Sequence, residues 1–186
     1  MANGKSKGNE FERSISKIFS NWWTNHERDD VFWRTQNSGG RFTNRSHKGL
    51  KTHNQGGDIC SVHPDGELFS SLFFVECKNY KNIGLWTLVT KKGLLSVWWY
   101  KALSDSAKDC KIPLLVVKEN NKPIIIFFPS KFLHIFNFEN DEFILFFHLS
   151  GEETCMCLLD DFLSLNIDVF KENCSKYLNN KDSICE

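Results

Sequence analysis

The stretch from Gly57 to Lys78, GDICSVHPDGELFSSLFFVECK, has one acidic residue near its start and a Glu-x-Lys triplet at its end. The apolar residues just before the triplet favour a β-strand. Side chains alternate along a strand, so Glu76 and Lys78 share one face while Cys77 points to the other. We therefore expect Cys77 to be buried, with its backbone carbonyl free to act as a ligand.

The residue types of this motif are those of a metal-dependent phosphodiesterase. Asp58 and Glu76 supply carboxylate oxygens, which hold hard divalent cations. Such a cation polarises a phosphate oxygen and helps to generate hydroxide from bound water. Lys78 can orient that water or stabilise the negative charge that develops on the phosphate.

The chemistry requires Asp58 to lie close to Glu76, and the turn signal at residues 63–66, HPDG, makes a hairpin over 58–78 the expected connection. A tight turn there would put Asp58 opposite Phe73, roughly 10 Å along the strand from Glu76. A wider connection through Ser70 would place Asp58 opposite Glu76. The competing interpretation is a plain hairpin with a surface aspartate and a cross-strand ion pair.

Composition predicts one globular domain in a reducing compartment. The 186 residues include 41% hydrophobic residues and 17 phenylalanines, enough for a substantial core. The seven cysteines show neither a paired framework nor zinc spacing, so we interpret them as reduced thiols of a cytoplasmic protein. There is no apolar signal segment or stretch of transmembrane length, so no membrane association is expected.

Charge is distributed unevenly although the net charge is zero. Residues 1–134 contain 20 Lys/Arg and 12 Asp/Glu, a net of +8, whereas residues 135–186 contain 3 and 11, a net of −8. We therefore predict a core over 1–134 and an acidic C-terminal extension of the same domain over 135–186, packed on the body. A basic body suits a polyanionic partner, although an uneven distribution without any partner is an equal alternative.

The periodicity predicts an α/β fold with a central mixed β-sheet flanked by helices. A polar loop with several basic residues spans 35–57. Helices are expected over 9–23, 85–109 and 156–178, and strands over 31–34, 58–78, 112–118, 122–128 and 132–149.

Several short motifs occur in the order found in one nuclease superfamily. They are Lys7-Gly8, Glu12-Arg13, Arg34, Ser38-Gly39, Asp58-Ile59 and Glu76-Cys77-Lys78. Over residues 5–80 the chain resembles the PD-(D/E)XK nucleases, and within them most closely the archaeal-type Holliday junction resolvases and their phage relatives. The resemblance implies a restriction-endonuclease-like fold.

The resemblance also implies a role for each matching residue. The catalytic set would be Glu12, Asp58, Glu76, Lys78 and Ser38. The metal ligands would be Glu12, Asp58 and Glu76, to which the Cys77 carbonyl is added. By the resemblance, Arg13 and Arg34 would contact the DNA backbone. Independently of the resemblance, the polar loop with its interleaved basic residues suits phosphate contacts. The expected DNA-binding set is Lys5, Lys7, Arg13, Arg34, Arg41, Arg45, Lys48 and Lys51.

The expected activity is that of a Mg²⁺-dependent DNA endonuclease, in which Mn²⁺ can substitute, acting as a homodimer on four-way junctions or other branched DNA. The candidate dimer interfaces are the region of Leu95, Trp98 and Trp99 and the strand 124–128. One alternative is a restriction or repair nuclease that cuts linear duplex DNA. Another is an inactive nuclease fold that binds DNA or protein.

Overall fold

The structure is a computed structural model that describes residues 4–35, 56–138 and 144–182. Its helices are α1 (Gly4–Trp23), α2 (Glu67–Leu72), α3 (Thr87–Thr90), α4 (Leu94–Lys108), α5 (Leu133–Phe136), α6 (Leu159–Leu163) and α7 (Ile167–Asp182). Its strands are β1 (Phe32–Arg34), β2 (Ile59–Ser61), β3 (Phe73–Tyr80), β4 (Ile112–Glu119), β5 (Ile124–Pro129), β6 (Leu145–Leu149) and β7 (Glu152–Leu158).

Five strands form a mixed sheet in the order β3-β4-β5-β7-β6. Strands β3 and β4 are parallel, and the remaining pairs are antiparallel. Strands β1 and β2 form a separate two-stranded sheet. The expected α/β fold with a central mixed sheet is thus confirmed, and β3, which carries Glu76, lies at one edge of the sheet.

Helices cover both faces of the sheet. Apolar residues of α1, α2, α5, α6 and α7 form one buried cluster with Val75 and Cys77 of β3. Helix α4 forms the other cluster with Leu115 and Val117 of β4. In the parallel register Glu76 pairs with Leu115 and Lys78 with Val117, so Glu76 and Lys78 lie on the face that α4 covers.

The hairpin predicted over 58–78 is wrong, and of the two placements of Asp58 that the sequence left open, the wider connection is the one that agrees with the structure. Strand β2 pairs with β1 rather than with β3, and helix α2 lies between β2 and β3. Burial of Phe69 and Leu72 against the α1 side favours the helix over an extended loop. This wider connection still brings Asp58 beside the middle of β3, as the sequence required.

The other predicted helices and strands agree with the structure except in three places, and the polar loop expected over 35–57 lies outside the described residues except at its ends. The helix expected over 85–109 is broken at Lys91 and Gly93, which have positive φ angles of 54° and 112°. Within the stretch expected to be extended over 132–149, Leu133–Phe136 forms helix α5 and Leu145–Leu149 forms strand β6. The helix expected from residue 156 begins only after β7. Among the described residues no helix is long and apolar enough to cross a membrane, and Cys60, Cys77, Cys157 and Cys174 are free thiols.

The two dimer interfaces suggested by the sequence are part of the protein's own core. Leu95, Trp98 and Trp99 belong to the face of α4 that is buried against the sheet. Strand β5 is covered on both sides by β4 and β7, and its residues Ile126 to Phe128 are buried. Neither surface is available to a second copy of the chain.

The acidic C-terminal segment completes the core. Strand β7 lies between β5 and β6 in the main sheet. Phe162 and Phe170 are fully buried, and their rings lie 5.4 and 5.3 Å from Trp22 of α1. Losing even one such buried ring typically costs about 3–5 kcal/mol of stability.

Deletion of residues 150–186 should therefore give an insoluble or unfolded product. The deletion removes β7 from within the sheet and removes Phe162 and Phe170, which pack on Trp22. Circular dichroism and the soluble yield of the truncated chain measure the effect. A soluble truncated protein with tighter DNA binding would instead indicate that the segment is autoinhibitory.

Candidate active site

Asp58 is held against the open edge of β3 by two backbone contacts. Its amide donates to the carbonyl of Val75 at 2.7 Å, and its Oδ2 accepts from the amide of Cys77 at 2.8 Å. The preceding Gly57 makes this approach possible. Its φ is 84°, and a Cβ there would lie 2.5 Å from the Val75 carbonyl oxygen. Glycine is thus required because both the conformation and the space exclude a side chain.

Glu76 and Lys78 extend from the same face of β3, as predicted, and form an ion pair. The Lys78 ammonium lies 3.9 Å from Asp58 Oδ2 and donates to the Cys77 carbonyl at 3.3 Å. A second lysine, Lys101 of α4, lies 3.5 Å from Glu76 Oε1 and 3.0 Å from Asp105. The carboxylates of Asp58 and Glu76 are both buried, so this cluster holds two acids and their counter-charges away from bulk water.

The environment disfavours the ionised form of Asp58. Burial, followed by the charge of Glu76, raises the pKa of Asp58 to about 6 against the opposing effect of Lys78 and the Cys77 amide. Burial alone would lower the pKa of Lys78, but the negative charges of Glu76 and Asp58 have the larger combined effect. The pKa of Lys78 is therefore raised above its ordinary value. Lys78 thus stays protonated, while the two acids retain a mutual repulsion that an added cation would relieve.

Glu12 approaches this cluster from α1 but has its own partner. Arg34 of β1 donates to Glu12 Oε2 at 3.0 Å and to Asn9 Oδ1 at 2.9 Å. Both charged side chains are largely buried, with 19% and 15% exposure for Arg34 and Glu12. The charge of Glu12 nevertheless acts on Asp58 and contributes to raising its pKa.

The donor set fits a magnesium-like cation held by few protein ligands. Within residues 4–35, 56–138 and 144–182 no three His, Cys, Asp or Glu side chains come close enough together to hold a metal. Asp58, Glu76 and the Cys77 carbonyl do converge, because all three contact the Lys78 ammonium. Mg²⁺ characteristically binds one or two carboxylates and keeps several waters, so this set suits it.

Some of the predicted residues lie elsewhere or outside the described part of the chain. Ser38, Arg41, Arg45, Lys48 and Lys51 all lie outside the described residues, as does the side chain of Lys5. In contrast, the side chain of Lys7 contacts Asn120 in the turn between β4 and β5, and Arg13 is exposed on α1.

Lys101 is the site residue that sequence reasoning missed. It follows Trp98 by three positions and so borders the buried face of α4. Helix α4 connects the parallel strands β3 and β4, and such a crossover helix packs on the sheet. A lysine bordering the buried face of that helix was therefore a usable signal for a residue near Glu76.

Comparison with known proteins supports the same assignment as the geometry. A model of the family described as "Phage putative PDDEXK endonuclease" matches residues 3–172. No curated protein and no solved structure matches the chain significantly. The family match covers far more than half of the 186 residues and confirms the PD-(D/E)XK superfamily expected from the motifs. The chain therefore belongs to the family of phage PDDEXK endonucleases.

Proposed function

We propose that this protein is a Mg²⁺-dependent DNA endonuclease that hydrolyses phosphodiester bonds in four-way junctions or other branched DNA. The observation that carries the proposal is the meeting of Asp58, Glu76 and Lys78 at the open edge of β3. Within the described residues no further strand pairs with β3 on the side where Asp58 approaches, which is the side proposed to face the DNA.

The residues of the cluster have distinct roles in hydrolysis. Asp58, Glu76 and the Cys77 carbonyl would hold the cation, which when bound polarises the phosphate and lowers the pKa of water. Lys78 would position the attacking water or stabilise charge on the phosphate oxygens. The Glu12–Arg34 pair would fix the α1 side of the site. In-line attack on phosphorus would leave 5′-phosphate and 3′-hydroxyl ends.

The order of motifs supports branched DNA as the substrate. Lys7-Gly8, Glu12-Arg13, Arg34 and the split acidic motif resemble the arrangement in Holliday junction resolvases. Resolution of a junction needs two sites related by a twofold axis, which makes a homodimer part of the proposal. The basic loop residues Arg41, Arg45, Lys48 and Lys51, together with Ser38, would contact the DNA backbone near the scissile phosphate.

A gel assay with three labelled substrates tests the proposal. A four-way junction, a linear duplex and a single strand are each incubated with Mg²⁺ or with EDTA, beside an Asp58→Asn control. We expect metal-dependent cleavage of the junction that Asp58→Asn lacks. Preferential cleavage of linear duplex would favour a restriction or repair nuclease, and no cleavage of any substrate would favour an inactive binding module.

Metal affinity should depend on pH because of Asp58. Its pKa is raised to about 6, so below this pH a metal must displace the proton. Apparent Mn²⁺ affinity is then constant well above pH 6 and falls by up to about tenfold per pH unit below it. Electron paramagnetic resonance of free Mn²⁺ at pH 5 to 8 measures this.

The exposed Asp160 provides a matched control for the pH experiment. Asp160→Asn should keep the wild-type pH profile, whereas Asp58→Asn should bind Mn²⁺ weakly at every pH. A wild-type affinity that does not change between pH 7 and pH 5 would contradict Asp58 as a ligand.

A further inference from the structure

The segment that follows the catalytic strand is basic and exposes large aromatic side chains. Between Glu76 and Asp105 the sequence has five lysines and no acidic residue. Two aromatic side chains of the segment, Tyr80 and Trp86, are 47% and 84% exposed. Exposed aromatic rings interleaved with lysines are the usual composition of surfaces that bind single-stranded nucleic acid.

The geometry makes this segment a continuous path away from the active site. Lys101 of α4 contacts Glu76 of β3. Trp98, three residues before Lys101, packs on Tyr80, four residues after Glu76, with ring centroids 5.0 Å apart. Helix α4 therefore runs antiparallel to β3, and its first residues lie beyond the end of the strand.

Helix α3 continues the path at the far end. A Cβ on Gly93, just before α4, would lie 3.0 Å from Thr87, so α3 packs beside the start of α4. Trp86 immediately precedes Thr87. From Lys101 to Gly93 the helix rise gives about 12 Å, the length of three or four nucleotides at about 3.4 Å each.

We propose that this surface binds an unpaired DNA strand that leads away from the scissile phosphate. We define the stacking track by its exposed residues Tyr80, Lys81, Trp86, Lys91, Lys92 and Lys101. The proposal rests on the proposed nuclease function. Among the branched substrates proposed there, it favours DNA with a single-stranded arm beside a duplex over the fully paired four-way junction. Bases stack on Tyr80 and Trp86, and the unpaired Lys81, Lys91 and Lys92 contact phosphates.

Three of the four lysines on the stacking track have charges that are available to a ligand, whereas Lys101 pairs with Glu76 and Asp105. Lys81, Lys91 and Lys92 are exposed, and none of them pairs with a carboxylate in the part of the chain that the structure describes. An exposed cation that is not neutralised locally attracts phosphate from solution. Charge complementarity thus favours a polyanion over a second apolar protein surface as the occupant.

A cavity beside Trp86 offers a place for an unstacked base. It has a volume of about 380 Å³ and is lined mainly by apolar residues, among them Leu85, Val117, Ile125 and Leu158. Lys122 and Glu119 also line the cavity. The ammonium of Lys122 can donate, and the carboxylate of Glu119 can accept, hydrogen bonds at the polar edge of a base. A paired base could not enter this recess, which again favours a single strand.

Binding of labelled oligothymidylate in EDTA tests the stacking track without cleavage. Fluorescence anisotropy with an oligomer of about 15 nucleotides, within the usual range of site sizes, compares the wild type with Trp86→Ala. We expect affinity to fall at least about fivefold, the minimum for loss of one base–aromatic stack. Phe146→Ala, which removes a 51% exposed ring from β6 at the other edge of the sheet, should bind as the wild type does.

Salt dependence gives a second, independent readout. The double variant Lys91→Gln/Lys92→Gln should reduce the log–log salt slope of oligomer binding by about 0.7 for each lost phosphate contact. Lys176→Gln, at an exposed lysine of α7, should leave the slope unchanged. Circular dichroism of each variant checks that the fold is intact.

The outcomes separate this proposal from the nuclease function. If Trp86→Ala and the double lysine variant bind the oligomer like the wild type, the stacking track is wrong, even if Mg²⁺-dependent cleavage is present in the wild type and absent in Asp58→Asn. If Trp86→Ala dissociates a dimer in light scattering without weakening oligomer binding, the surface is a self-association site and the proposal fails.

Discussion

Asp58→Asn and Glu76→Gln should each reduce DNA cleavage by about 10³-fold or more while DNA binding persists. Each substitution removes the negative charge of a proposed metal ligand, and without the cation neither the water nor the phosphate is activated. The amide oxygen that Asp58→Asn introduces can still accept the hydrogen bond that the Cys77 amide gives to Asp58, so the fold at the edge of β3 should survive. Single-turnover cleavage under Mg²⁺ and anisotropy in EDTA measure the two effects separately.

Asp160→Asn is the matched control for the carboxylate variants, because it removes an exposed carboxylate of α6, outside the cluster. It should cleave DNA at the wild-type rate. Wild-type turnover by either Asp58→Asn or Glu76→Gln would show that the active site lies elsewhere in the protein.

Gly57→Ala should inactivate the enzyme although it leaves every candidate catalytic side chain in place. An alanine with φ near 84° is strained by about 1–2 kcal/mol. Its Cβ would also lie 2.5 Å from the carbonyl oxygen of Val75, a backbone atom that cannot turn aside. Asp58 must therefore move away from β3, which separates it from Glu76. We expect a loss of cleavage together with destabilisation of about 2 kcal/mol or more in urea unfolding.

The variant Gly151→Ala separates the effect of backbone strain from the effect of the close contact with Val75. Gly151 has almost the same φ, 83°, but a Cβ there would meet nothing within 4 Å. It should therefore cost only the conformational strain and leave cleavage unchanged. If Gly57→Ala and Gly151→Ala are equally mild, close contact with Val75 does not position Asp58.

The parts of the site that the sequence predicted well depend on neighbours along the chain. Glu76 and Lys78 share a face and Cys77 is buried because alternation along a strand is a local property. The amphipathic helix α1 followed from its apolar spacing in the same way. At the start of the Phe-rich stretch over 132–149, the predicted strand is wrong and a short helix forms instead, because a brief apolar run can form either a helix or a strand.

The sequence by itself determined which chemistry is present and on which face of β3 it stands. The tertiary structure alone decided what surrounds that chemistry. Arg34 reaches Glu12 across 22 positions, and Lys101 reaches Glu76 across 25. These contacts depend on how helices pack on the sheet. The sequence places Lys101 beside the buried face of α4, but only the packing of that helix on β3 brings it to Glu76.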